Sequence, residues 1–141
     1  MAGDDRTHIT VRRIDDKLFI GNRHAATRLP EGTFDAVLSV SSEPSPLTTH
    51  HHPLTDGPGN DWAAFAAAVD TARTLHRRDG TLLVNCSAGI SRSATVLATA
   101  LATERECPLR ETLELVWEAR PRAMPHPALH ELAVVYLAAR T

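Results

Sequence analysis

Apolar and polar positions change their period several times along the chain. Ile9 to Ile14 alternate apolar and polar side chains, as does part of Lys17 to Ile20, and this predicts two short strands. Asn22 to Leu29 predicts a short helix with Asn22 as its N-cap. Ala36 to Val40 is a short apolar run that predicts a buried strand, and Ser42 to Thr49, rich in Ser, Thr and Pro, predicts a loop. From Asp61 to Arg78 the period becomes helical. Trp62, Phe65, Val69, Ala72 and His76 share one face, and Gly80 follows as a stop. Thr81 to Val84 predicts a central strand. Arg92 to Glu104 and Leu109 to Ala119 predict helices, the second with Leu113, Val116 and Trp117 on one face. Pro121 and Pro125 break the chain before a last helix, Pro127 to Arg140. Trp62, Phe65 and Trp117 lie on apolar helix faces and are expected in the core. Strands alternating with helices imply an α/β domain, with a central, mostly parallel sheet of four to five strands flanked by helices. Such sheets bind ligands at the C-terminal ends of their central strands.

The 141 residues fit one domain spanning 1–141, with about 1–9 expected as a tail. No apolar stretch approaches transmembrane length, and the start, MAGDDRTH, lacks a secretory pattern. A cytoplasmic protein without membrane association is expected. A net charge of −2 supplies no basic surface for nucleic acid. The two cysteines, Cys86 and Cys107, make neither a disulfide framework nor a metal-type spacing. A reducing compartment also suits a reactive thiol.

The densest chemistry follows the predicted central strand: Asn85-Cys86-Ser87-Ala88-Gly89-Ile90-Ser91-Arg92-Ser93. Five small or apolar residues between a cysteine and an arginine at a helix start form an anion trap. Successive backbone N–H groups in a tight turn make a concave site for a phosphate, here from Ser87, Ala88, Gly89, Ile90 and Ser91. The helix N-terminus adds its unpaired N–H groups and partial positive charge. Arg92 offers a planar fork for two phosphoryl oxygens. Cys86 then sits under phosphorus, in surroundings that favour thiolate.

Cys-x5-Arg followed by Ser resembles the signature of the protein tyrosine phosphatase superfamily, and CSAGISRSAT resembles its dual-specificity branch. Further similarity lies in Asp16-Lys17-Leu18-Phe19-Ile20-Gly21-Asn22 with Ala25-Ala26, in Phe34 to Val40, and in Arg120-Pro121 with Pro125. It runs from about residue 10 to the C-terminus. The resemblance implies a single dual-specificity-type catalytic domain, phosphoprotein substrates and no cofactor. It assigns Cys86 as nucleophile, Arg92 as phosphoryl clamp and Ser93 as the hydroxyl that helps the cysteine leave. The family commonly carries its general acid on a loop shortly before the long helix. Asp56 and Asp61 both stand there, and Asp56, 30 positions before Cys86 in a Gly- and Pro-rich turn, is favoured over Asp61, which resembles a helix N-cap. One residue departs from the family: Asn85 stands where His is usual, and is expected to support the loop by hydrogen bonding.

Each residue also has a plainer reading. Cysteine is often a small buried hydrophobe, but the spacing to Gly89, Arg92 and Ser93 favours catalysis. His50-His51-His52 cannot all face one ion, because neighbours on an extended segment point to opposite faces, so no metal site is expected. Cys107 is expected to be structural. A phosphate-binding module without turnover, or a phosphatase for a non-protein phosphate, remains as an alternative. The five-residue loop has no basic residue to meet extra phosphates, which favours a singly phosphorylated protein side chain.

Overall fold

The computed structural model describes residues 8–140. The expected N-terminal tail therefore lies, at residues 1–7, outside the described residues. Ten elements follow in order: β1 (Val11–Asp15), β2 (Leu18–Gly21), α1 (Ala25–Arg28), β3 (Ala36–Ser39), β4 (His50–His51), α2 (Trp62–Arg77), β5 (Leu82–Asn85), α3 (Arg92–Arg105), α4 (Leu109–Ala119) and α5 (Pro127–Ala139). The sheet order is β1-β2-β5-β3-β4. Only β1 runs antiparallel to its neighbour; β2–β5, β5–β3 and β3–β4 are parallel. The expected α/β architecture is thus observed, with five strands.

Side-chain alternation along β5 divides the core. Leu82 and Val84 join the large cluster under α2, α3, α4 and α5, whereas Leu83 joins Ala25, Ala26 and Val37 under α1. Phe65, fully buried on α2, contributes roughly 2 kcal/mol to the large cluster. Every residue of α3 from Arg92 to Ala102 is buried. Its run of Ala, Thr, Ser and Val has no polar face to give to water, so it becomes the central helix. The hydroxyls of Thr95, Thr99 and Thr103 bond back to carbonyls four residues earlier, which satisfies them inside the helix.

Two expectations are corrected, and one strand is added beyond the loop expected at Ser42 to Thr49. Trp62 and Trp117 are 37% and 41% exposed and sit at the margin of the core. Trp62 packs on the Tyr136 ring, and the Trp117 indole N–H donates to the Ala123 carbonyl; each ring keeps one edge in water. The segment read as loop and extended chain ends in the two-residue strand β4, whose pairing with Leu38 and Ser39 carries no sequence period. The short helix α1 starts at Ala25, not Asn22. Asn22 still serves its start, because Oδ1 accepts from the N–H groups of Ala25 and Thr10.

Candidate active site

β5 ends at Asn85 in the middle of the sheet, and the loop Cys86–Ser91 turns from it into α3. All five carbonyls from Ser87 to Ser91 are bonded outward. Ser87 O accepts from Arg23 N, and Ala88 O and Gly89 O from the Arg120 guanidinium. Ile90 O accepts from Met124 N, and Ser91 O from Thr95. A peptide whose carbonyl is tied outward turns its N–H inward. Each such carbonyl shares its peptide plane with the next residue's N–H, so the groups turned inward are those of Ala88, Gly89, Ile90, Ser91 and Arg92, and among the described residues no protein acceptor takes them. The result is a ring of donors of the kind that suits an anion.

Gly89 is required by two independent constraints. Its φ is +69°, and a Cβ there would lie 2.8 Å from the Gly21 carbonyl carbon and oxygen. Cys86 is 2% exposed, and its Sγ lies 3.1 Å from Ser93 Oγ in the first turn of α3. Arg92 is 9% exposed, and Nη1 donates to the Leu54 carbonyl at 3.1 Å. One guanidinium edge is therefore anchored two residues before Asp56, and the remaining donors of the fork are available to an anion.

A cavity of about 550 Å³ opens above the loop, with Cys86, Arg92 and Asp56 in its wall. Asp61 is outside that wall and occupies the N-cap position of α2, without a side-chain bond to the helix. Asn60 braces the Asp56 turn. Its Oδ1 accepts from Thr55 N, and its Nδ2 donates to Thr55 O and Gly57 O. Asp56 is left exposed at the tip of a braced turn.

Among the described residues the Asn85 side chain makes no hydrogen bond to the Cys86 loop. Like Leu83 before it, it points to the α1 side of the sheet, while Cys86 joins the opposite cluster. Its Oδ1 accepts from Ser39 Oγ at 2.6 Å, and Ser39 Oγ also meets Thr48 Oγ1. Asn85 is fully buried, and its Nδ2 has no hydrogen-bond partner among the described residues.

Sequence reasoning gave no role to Arg120, Asn60 or His126. Arg120 is 6% exposed directly behind the loop. Burial pushes its guanidinium below its ordinary value and nearby Arg12 adds to this, while Cys86 opposes. The Arg120-Pro121 pair was the available signal for this residue; the loop carbonyls it meets lie about thirty positions upstream and could not be read. The three neighbouring histidines behave as expected for an extended segment. His50 meets Thr49, His51 the Ser41 carbonyl and His52 the Thr71 hydroxyl. Cys107 lies beyond the far end of α3, whose 14 residues span about 21 Å, so a disulfide to Cys86 is out of reach.

A buried thiol beneath a ring of amide donors, with an arginine at the next helix start, defines the class of cysteine-based phosphatases. Residues 18–136 match the family model described as dual specificity phosphatase, catalytic domain. The chain belongs to this family, in the protein tyrosine phosphatase superfamily. It is 30% identical over 118 residues to dual specificity protein phosphatase 5 of Rattus norvegicus, covering 77% of this chain and 31% of that protein. Dual specificity protein phosphatase 4 of Homo sapiens is 32% identical over 118 residues, with coverage of 77% and 30%. The chain thus spans about a third of the length of these curated relatives. The crystal structure of human DUSP28 superimposes with a TM-score of 0.78 at 26% identity, covering 92% of this chain and 93% of that one.

Proposed function

We propose that this protein hydrolyses phosphomonoesters on protein tyrosine, serine and threonine side chains through a cysteinyl-phosphate intermediate. One observation carries the reading: five consecutive outward-bonded carbonyls leave five inward N–H groups around Cys86. The Cys86 thiolate attacks phosphorus in line, while the loop amides and Arg92 hold the equatorial oxygens. The bond from phosphorus to the leaving oxygen breaks, and Asp56 supplies that oxygen with a proton. Water then attacks the cysteinyl phosphate, Asp56 takes its proton, and Ser93 donates a hydrogen bond to the departing sulfur.

Among the described residues Arg92 is the only Lys or Arg in the cavity wall. That supports a singly phosphorylated substrate over phosphoinositides or triphosphorylated RNA. No described helix is long and apolar enough to cross a membrane. A free active-site thiol is also suited to the reducing cytoplasm, where we place the protein.

The test is turnover of 4-nitrophenyl phosphate and of phosphopeptides, with acid quench during turnover. The expected result is covalent phosphate on Cys86 and no turnover by Cys86→Ser, because a serine alkoxide is inaccessible near neutral pH. Phosphate affinity without any turnover by the wild type would instead establish a binding module. Faster hydrolysis of a phosphoinositide than of any phosphopeptide would place the substrate outside proteins.

A further inference from the structure

Beyond the phosphate ring and Asp56, the described cavity wall is built from one segment, Met124 to Pro127. This segment is stitched to the loop by two bonds: Met124 N donates to Ile90 O, and His126 N donates to Ser91 Oγ, each at 2.9 Å. Met and Pro side chains carry no N–H. His126 is therefore the one side-chain N–H donor of this stretch of wall.

The structure also fixes which ring nitrogen carries the proton. His126 is the N-cap of α5, and its Nδ1 accepts the Ala128 backbone N–H at 3.0 Å. A nitrogen that accepts is unprotonated, so the neutral ring bears its hydrogen on Nε2. Among the described residues no protein group bonds Nε2. The ring is half-buried, held at one edge by the helix and at its backbone by the loop. That is a fixed donor with a spare hydrogen in a stretch of wall otherwise made of Met and Pro side chains.

In the free site water takes this hydrogen, and a bound substrate can replace that water with an acceptor of its own. The phosphoryl oxygens already have five loop amides and the Arg92 fork, so they do not need it. We infer that His126 Nε2–H is a specificity contact that binds a main-chain carbonyl of the phosphopeptide, beside the phosphorylated residue. The role rests on the phosphatase reading and extends it: the protein recognises the peptide as well as its phosphate. A small aryl phosphate has no such carbonyl.

His126→Asn separates this contact from capping, because Asn Oδ1 can cap the helix while its short amide does not extend to the position of Nε2. The measurement is KM for a phosphotyrosyl peptide with uncharged flanking residues, and for 4-nitrophenyl phosphate. Losing one neutral hydrogen bond should raise the peptide KM about 3- to 10-fold more than the aryl phosphate KM. His126→Ala should show the same difference and also a lower Tm, from loss of the cap. Equal changes for both substrates, or none, would overturn the assignment. The same comparison is made by titrating Cys86→Ser, with and without His126→Asn, with phosphopeptide and with inorganic phosphate. This reads the contact even if the wild type turns over neither substrate, an outcome that would defeat the phosphatase reading alone. Weakening of peptide but not phosphate binding supports the contact, and equal weakening overturns it.

Discussion

Cys86 Sγ lies 3.1 Å from Ser93 Oγ, across the turn that joins β5 to α3, and Ser93 is fully buried. Water does not compete for this contact, and when sulfur is a thiolate, which has no proton to give, the Ser93 hydroxyl is the donor. The interaction is worth most when sulfur becomes a thiolate leaving group in the second step. Ser93→Ala is therefore expected to slow hydrolysis of the intermediate more than its formation, lowering kcat by about 10- to 100-fold. Rapid-quench kinetics should show a burst of released alcohol and accumulated phosphoenzyme. An equal slowing of burst and steady state would remove Ser93 from the second step.

Asp56 belongs to the cavity wall and Asp61 does not. Asp56→Ala should lower kcat by about 10²- to 10⁴-fold on poor leaving groups, with a smaller loss on acidic phenols that leave without a proton. Asp61→Ala should cost stability at the start of α2 and leave kcat near the wild-type value. A leaving-group-dependent loss in Asp61→Ala, absent from Asp56→Ala, would reverse the assignment.

Asn85 links β5 to β3 through Ser39, on the sheet face away from Cys86. Asn85→Ala removes one hydrogen bond and one unpaired buried amide, and opens a small cavity. The expected cost is about 1 kcal/mol of stability, with kcat changed by less than about threefold. Denaturant unfolding and steady-state kinetics read the two effects separately. A large fall in kcat at unchanged stability would show that this amide supports the loop after all.

Glu104 on α3 accepts from Arg77 and Arg73 on α2. The Arg77 hydrogen bond holds its carboxyl below the usual glutamate range; burial opposes this, and Arg73 adds to it. A carboxylate depressed in the folded state stabilises the fold above its unfolded pKa, and this contribution is lost as pH falls through the lower folded value. Wild type should therefore exceed Glu104→Gln in stability at pH 7, and the gap should shrink from about pH 5 downward. Denaturant midpoints at several pH values measure it. A gap that stays constant to pH 3 would mean that the ion pair contributes nothing through ionisation.

Much of this was legible in the sequence, and the reason is local. Period, prolines, the Gly80 stop and the switch to a mostly apolar run at Arg92 placed α2, α3, α4 and α5 to within one residue at each end, because each of these signals lies within or directly beside its own helix. The loop from Cys86 to Arg92 was legible because an anion site needs donors and a cation at fixed spacing within one turn. Everything that depends on where distant segments meet was decided by tertiary structure. Arg120 reaches two loop carbonyls from 31 and 32 positions away, and His126 ties α5 to Ser91 from 35. The Asn85 side chain faces Ser39 because side chains along β5 alternate between the sheet's two faces; its partner was set only when β3 docked beside β5. Spacing along a chain records one turn or one strand, whereas a partner thirty residues away is chosen by how the layers pack.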